Sequence, residues 1–300
     1  MNNNLVKTGS CSIVVGPGHY GYYFTPQANK LFKVTKIISR HDEFKLIPLI
    51  KEIEDYKNYY SIPDSVLYVI KPDDEFYQKL MELTIYDKMN IFDGDLTGFY
   101  IDDAGTYDMI DSIGEMELYS EFVFWKSYKI ILTFIRFMFD GLIFLHEKGI
   151  CHLDIKPENI MVNKYSGKFK IIDFGFSSKE PFTDYTSDIK GTPGYFPKYF
   201  NFDKITPWLP KINANDMIPD FSGKIPMVTN PNLVYKIDSF CLGRVLYYLK
   251  YIYDTNRQYT CFNFERKHGI KIDEITESLL KNNVHARLTI KECKQKYFDE

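Results

Sequence analysis

Short runs of β-prone residues dominate the start of the chain, at 12–15 and 20–24, joined by a glycine-containing turn, with a third strand pattern over 30–38. From 42 to 59 the spacing becomes helical, with Phe44, Ile47, Ile50 and Ile53 on related faces. Pro48 falls inside that stretch and is expected to kink the helix or end it early. Residues 65–70 and 96–101 read as two more strands, and the variable segment 71–95 between them holds a short helical candidate over 74–83. Five strands and one helix fit a small N-terminal lobe over 1–102.

Asp102-Asp103-Ala104-Gly105 is short and polar and ends in Gly, which marks a linker. Past it, over 103–300, the pattern is mostly helical. The longest periodic segment, 121–147, places Phe124, Tyr128, Ile131, Ile135, Met138, Leu142 and Leu145 on one broad stripe, and Gly149 ends it. Residues 160–162 and 170–172 read as a short hairpin. The stretch 199–232, rich in Pro and Asn, is long for a structureless loop and predicts local helix or an interaction surface. Further helices are predicted over 234–253, 272–281 and 289–297. There is no internal repeat and no low-complexity tract.

Two strings carry the chemistry. His152-Leu153-Asp154-Ile155-Lys156-Pro157-Glu158-Asn159 is followed, after an apolar strand, by Asp173-Phe174-Gly175. Together they resemble the catalytic-loop and metal-loop signature of eukaryotic-type protein kinases; the likeness is strongest over 146–195 and weakest before 102. It implies an α+β, bilobal protein-kinase-like fold: a five-stranded antiparallel N-terminal lobe with one helix, which binds ATP, and a larger, mainly helical catalytic and substrate-binding lobe. It also implies transfer of the γ-phosphoryl group of ATP to a protein hydroxyl, with Asp154 as base, Lys156 beside the γ-phosphate, and Asn159 and Asp173 as ligands of Mg²⁺. Mn²⁺ suits the same oxygen ligands. A lysine at 156 resembles Ser/Thr rather than tyrosine kinases. His152 is implied to pack beneath Phe174 rather than to react.

The nucleotide site follows from the same resemblance. Gly16-Pro17-Gly18-His19-Tyr20-Gly21 has GxGxxG spacing, after Val15, and sits between two strand patterns rather than at a helix start. Such a loop brings backbone N–H groups close to phosphates because no Cβ intervenes. Tyr23 stands where the family usually has Val, and a competing alignment puts the loop at Gly9-Ser10-Cys11-Ser12. Leu31-Phe32-Lys33 resembles the strand ending that supplies the phosphate-contacting lysine. Lys36 also fits, but strand alternation allows only one of the two to face the cleft. Its partner is Glu43, with Glu52 and Glu54 as alternatives. Ile101 gates the adenine pocket, the backbone of 102–104, Asp102 and Ala104 included, contacts adenine, and Asp108 lies near the ribose. Met161 lies under the adenine, with Leu31 and Tyr23 above.

Departures from the family are equally specific. Leu153 replaces the arginine that pairs with a phosphorylated activation segment, so Thr183, Tyr185, Thr186 and Ser187 have no such partner there. Gly191-Thr192-Pro193-Gly194-Tyr195 resembles the segment that receives protein substrate, with Thr192 near Asp154 and Lys156. The following Phe196-Pro197-Lys198-Tyr199 lacks the family's glutamate, so Arg287, its usual partner, must find another acceptor or remain solvated. Asp238-Ser239-Phe240-Cys241-Leu242-Gly243 resembles a helix start whose aspartate caps N–H groups of the catalytic loop. The excess length at 200–232 is a candidate partner surface.

Composition narrows the picture. Among 300 residues the apolar fraction is 45%, enough for a full core, and the net charge of -3 implies no general affinity for nucleic acid or anionic membrane. The five cysteines are scattered without CxxC, which predicts ordinary thiols in a reducing compartment. The polar start lacks a signal-peptide pattern, and Arg136 and Asp140 interrupt the greasiest stretch, so an intracellular, cytoplasmic protein is expected. The brief N-terminal lobe and the Asn/Ile/Lys/Tyr-rich style are similar to kinases encoded by large DNA viruses, for which host cytoplasm or virion would apply; some protist kinases share that style. The alternative to an active Ser/Thr kinase is a catalytically weak pseudokinase acting as scaffold or regulator.

Overall fold

The computed structural model describes residues 5–8, 12–15, 30–36, 41–63, 68–75, 77–78, 96–102, 107–109, 125, 127–163, 166–180, 191–192, 194–195, 197, 231–255, 272–281 and 283–299. Strands β1 (Leu5–Thr8), β2 (Ser12–Val15), β3 (Lys30–Lys36), β4 (Tyr68–Ile70) and β5 (Leu96–Asp102) form one sheet in the order β1-β2-β3-β5-β4, and every neighbouring pair is antiparallel. Among the described residues the sheet has five strands. β1 was not expected: four residues carry too little alternation to announce a strand, and pairing with β2 is what satisfies their backbone. The strand expected over 20–24 lies outside the described residues.

Helix α1 (His41–Lys51) passes through Pro48 and ends three residues later. The proline is exposed, so its missing N–H falls on the solvent side, while Leu46, Ile47 and Ile50 are buried on the other. The single helix expected over 42–59 is therefore two, since the chain turns at Asp55, in the left-handed region at φ 54°, before α2 (Tyr56–Tyr59). Residues just after α1 bind the large lobe. The Tyr59 ring stacks on Phe137, centroids 5.6 Å apart. The Tyr60 hydroxyl donates to the Gly141 carbonyl, and Ser61 N–H donates to Ile171 O at 3.1 Å. Of the helix expected over 74–83, residues 75, 77 and 78 are helical and the rest, save Asp74, lies outside the described residues.

The large lobe is built on α3 (Tyr128–Glu147), α4 (Pro231–Thr255), α5 (Ile272–Leu279) and α6 (Ile290–Phe298). α3 begins at 128, later than the apolar pattern suggested, because Trp125 belongs to a separate short turn and Ser127 takes an extended N-cap conformation. Its Ile131, Phe134, Ile135, Met138, Leu142 and Leu145 are buried, and Gly149 leaves the helix at φ 73°. α6 starts on a capping box, with Thr289 Oγ1 accepting from Glu292 N–H and the Glu292 side chain bonding back to Thr289 N–H. Between the helices lie β6 (Tyr107–Asp108), β7 (Ile150–Cys151), β8 (Ile160–Asn163), β9 (Lys168–Ile171) and β10 (Ser178–Lys179). β8 and β9 form the expected hairpin, β6 adds to β8, and β10 pairs with β7. Among the described residues no helix is long and apolar enough to cross a membrane. A small sheet lobe with one principal helix and a larger helical lobe is the bilobal protein-kinase-like architecture.

Candidate active site

The loop after β7 owes its shape to a carboxylate far away in sequence. Asp238, buried within α4, accepts from His152 N–H through Oδ2 and Leu153 N–H through Oδ1, both at 2.8 Å. Leu153 sits in the left-handed region at φ 66°, so the loop is held in a conformation a leucine rarely adopts. His146 Nε2 lies 2.9 Å from Asp238 Oδ2. Burial alone would raise the Asp238 carboxyl; the His146 hydrogen bond, the attraction of His146 and His152, and the His152 N–H outweigh it and hold it below its ordinary value. His146, Cys151 and Asp238 bring potential ligand atoms within 4.8 Å of one another. They form a loop anchor rather than a metal centre: the Asp238 oxygens are committed to N–H groups, and burial pushes the Cys151 thiol up, away from the thiolate a metal needs.

That anchored loop presents Asp154. Its Oδ1 accepts from Thr192 N–H at 3.1 Å and from Thr192 Oγ1 at 2.6 Å. Its Oδ2 lies 3.0 Å from Lys156 Nζ and accepts from Asn159 Nδ2 at 2.9 Å. Lys156 Nζ also donates to Thr192 Oγ1 at 2.7 Å, so the threonine hydroxyl bridges lysine and carboxylate. Pro157 opens a single 3₁₀ turn, Pro157–Asn159, where its fixed φ suits the first position. This turn brings the Asn159 amide back onto the Asp154 carbonyl at 2.9 Å.

Asp173 follows β9 with φ 67°, and its Oδ1 accepts from Gly175 N–H at 3.2 Å. Phe174 is buried between His152, ring centroids 5.0 Å apart, and Tyr60, at 5.9 Å. The His152 ring bonds Ile172 O through Nε2 and accepts Asp154 N–H through Nδ1. For a magnesium ion the donor chemistry fits. Asn159 spends its N–H side on Asp154, which leaves its carbonyl oxygen as the ligand end, and Asp173 supplies a carboxylate, both hard oxygens.

In the small-lobe sheet, Lys33 lies opposite Phe99, and Lys36 opposite Leu96. Phe99 meets Phe44 of α1 edge-on, centroids 5.7 Å apart. Glu43 belongs to the first turn of α1. Glu52 is 61% exposed and bonds Lys148 at 3.2 Å, and Glu54 is exposed. Leu31 is paired with Ile101, Asp102 ends β5, and Asp108 lies opposite the buried Met161.

β1 and β2 pair from Leu5 with Val15 to Thr8 with Ile13. Residues 9–11 between them, in the competing stretch Gly9-Ser10-Cys11-Ser12, lie outside the described residues. Val15 is the last residue of β2. Gly16, Gly18, Gly21 and Tyr23 follow it, toward β3, and lie outside the described residues, as does Ala104.

Two side chains at this site carried no motif. Tyr60 packs on Phe174, and Arg244 of α4 donates from Nε to Gly194 O at 2.8 Å. An arginine within the apolar run 240–246 was the available signal for the second. Burial pushes its guanidinium down to about 10, with Tyr195 and Tyr247 opposing, so it stays charged at neutral pH. Arg287 is buried, donating to Lys236 O and Lys281 O, each at 3.0 Å, and lying over the Phe240 ring at 4.7 Å.

Residues 110–198 match the protein kinase domain. That span holds Asp154, Lys156, Asn159, Asp173 and Thr192. Over 77 residues the chain is 38% identical to human myosin light chain kinase 2 of skeletal and cardiac muscle, covering 25% of this chain and 13% of that protein. Over 169 residues it is 30% identical to "Probable serine/threonine-protein kinase fhkB" of Dictyostelium discoideum, covering 51% of this chain and 13% of that protein. The chain thus spans 13% of the length of these curated relatives. Within the matched span, the turn over 192–195 and the loop that carries Asp154 and Lys156 are joined through Thr192.

Proposed function

We propose that the chain is an ATP-dependent serine/threonine protein kinase, acting on protein hydroxyls. The observation that carries the reading is the buried Asp154 carboxylate, held on both oxygens by Thr192, Lys156 and Asn159. Phosphoryl transfer leaves little covalent work to the protein, so positioning and charge do most of the catalysis. The substrate hydroxyl oxygen attacks the γ-phosphorus, the bond to the bridging oxygen breaks to leave ADP, and the hydroxyl proton goes to Asp154. Lys156 stands beside the transferred group and offsets its charge. Asn159 and Asp173 would hold Mg²⁺, which when bound neutralises charge on the phosphates.

The ATP-binding lobe ends at Asp102. Lys33, paired with Glu43, contacts the α- and β-phosphates. Leu31, Ile101 and Met161 enclose the adenine, the backbone of 102–104 reads its edge, and Asp108 meets the ribose. The glycine-rich stretch 16–21 covers the phosphates, with 9–12, between the paired β1 and β2, as the alternative. The lysine at 156 and its bond to Thr192 favour serine and threonine hydroxyls as acceptors.

Transfer from labelled ATP with Mg²⁺ to mixed basic proteins tests this, wild type beside Asp154→Asn. The expected result is phosphoserine and phosphothreonine from the wild type and a loss of roughly a hundredfold or more in the variant. A wild type that binds ATP yet transfers nothing overturns the reading in favour of a scaffold.

A further inference from the structure

The kinase resemblance expects a glutamate after the substrate-receiving segment to tie that segment to the helical lobe through an arginine. Phe196-Pro197-Lys198-Tyr199 contains none, and the expected arginine, Arg287, bonds backbone carbonyls of α4 and of the turn after α5. A different arginine reaches the segment. Arg244 is 2% exposed and stands among Cys241, Leu242, Val245 and Leu246, all buried. Its Nε donates to Gly194 O at 2.8 Å. Gly194 has φ 93°, a backbone conformation that side chains rarely allow. Tyr195 N–H bonds back to Thr192 O at 3.2 Å, closing a turn, and Tyr195 is itself buried. Thr192, at the other end of that turn, holds Asp154 and Lys156.

We propose that Arg244 is a positioning residue, the anchor that fastens the substrate-receiving turn to α4 and thereby sets how protein substrate is received. Burying a guanidinium is costly unless its hydrogen bonds are good, and a charged donor on a backbone carbonyl is among the stronger ones. The turn is pinned at Gly194 on one side and at Asp154 on the other, so slack at Gly194 is felt where the substrate chain docks. On the proposed reading the adenine and ribose of ATP lie against the N-terminal lobe, Met161 and Asp108, none of which belongs to this turn.

The inference rests on the kinase reading for its kinetic test and not for its structural one. In the kinetic arm, Arg244→Met raises the KM for a peptide substrate about tenfold, the weight of one charged hydrogen bond, while the KM for ATP is unchanged. Arg244→Lys, which keeps the charge and a single donor, falls between. A peptide KM equal to that of the wild type, or a KM for ATP that rises in step with it, overturns the proposal. Should Arg244→Met not fold, Arg244→Lys is read alone: a raised peptide KM at unchanged ATP KM supports the anchor, and wild-type values overturn it. In the structural arm, amide exchange at Tyr195 speeds up in the variant relative to the buried core of α3; equal protection overturns the anchor. A wild type without transfer sinks the kinase reading alone, because the exchange arm still decides.

Discussion

Asp238 takes two backbone N–H groups and a histidine, and each bond is to a residue whose conformation the catalytic loop depends on. Its carboxyl is held below its ordinary value, so its contribution to stability is present above the unfolded value of about 3.9 and is lost as pH falls through the lower folded one. Asp238→Asn puts an amide N–H against a backbone N–H. The expected cost is about 3 kcal/mol at neutral pH, with the gap to wild type narrowing below about pH 4. Urea midpoints between pH 3 and 7 check it; a gap independent of pH counts against the assignment. The same scale shows what a motif cannot carry. Asp154, Lys156 and Asn159 were legible as one cluster because their types and spacing fall within a single loop, and their side chains do meet. Arg244 and Tyr60 were not, since each acts on a partner distant in sequence, Gly194 and Phe174.

At the scale of elements, apolar periodicity located the helices and the β8–β9 hairpin well and their ends less well. The pattern of α3 runs on to Phe124, but the backbone begins the helix only after Ser127, where Trp125 has already turned aside to pack on Phe134 and Phe169. Packing between elements explains Gly243 of α4. A Cβ there would lie 2.9 Å from Leu280 Cδ2 and Cγ and 3.0 Å from Leu279 Cβ, the latter close to the α5 backbone and slow to yield. Gly243→Ala gains about 1 kcal/mol of helix propensity and loses roughly 1–3 kcal/mol to overpacking. A lowered Tm is expected in a thermal melt, and a raised one would mean that α5 shifts away freely.

Across the whole molecule, the stretch after α1 couples the lobes. Tyr60 reaches the Gly141 carbonyl and the Phe174 ring, so the end of α2, α3 and the loop after β9 share one packed contact. Leu153, buried in the core, offers no charge to a phosphorylated segment. Protein treated with phosphatase is therefore expected to phosphorylate peptide at the rate of untreated protein. A collapse in that rate would show that phosphate acts through some other residue.

By itself the chain determined its local chemistry and the type of most elements, because a catalytic loop, a 3₁₀ turn and an amphipathic helix depend on residues a few positions apart. The tertiary structure alone decided which residues meet across elements: Lys33 opposite Phe99, Lys36 opposite Leu96, Glu52 beside Lys148, β1 along β2 and Arg244 at Gly194. Those choices follow from strand register and helix docking, which join residues far apart in sequence and leave no periodic trace in it.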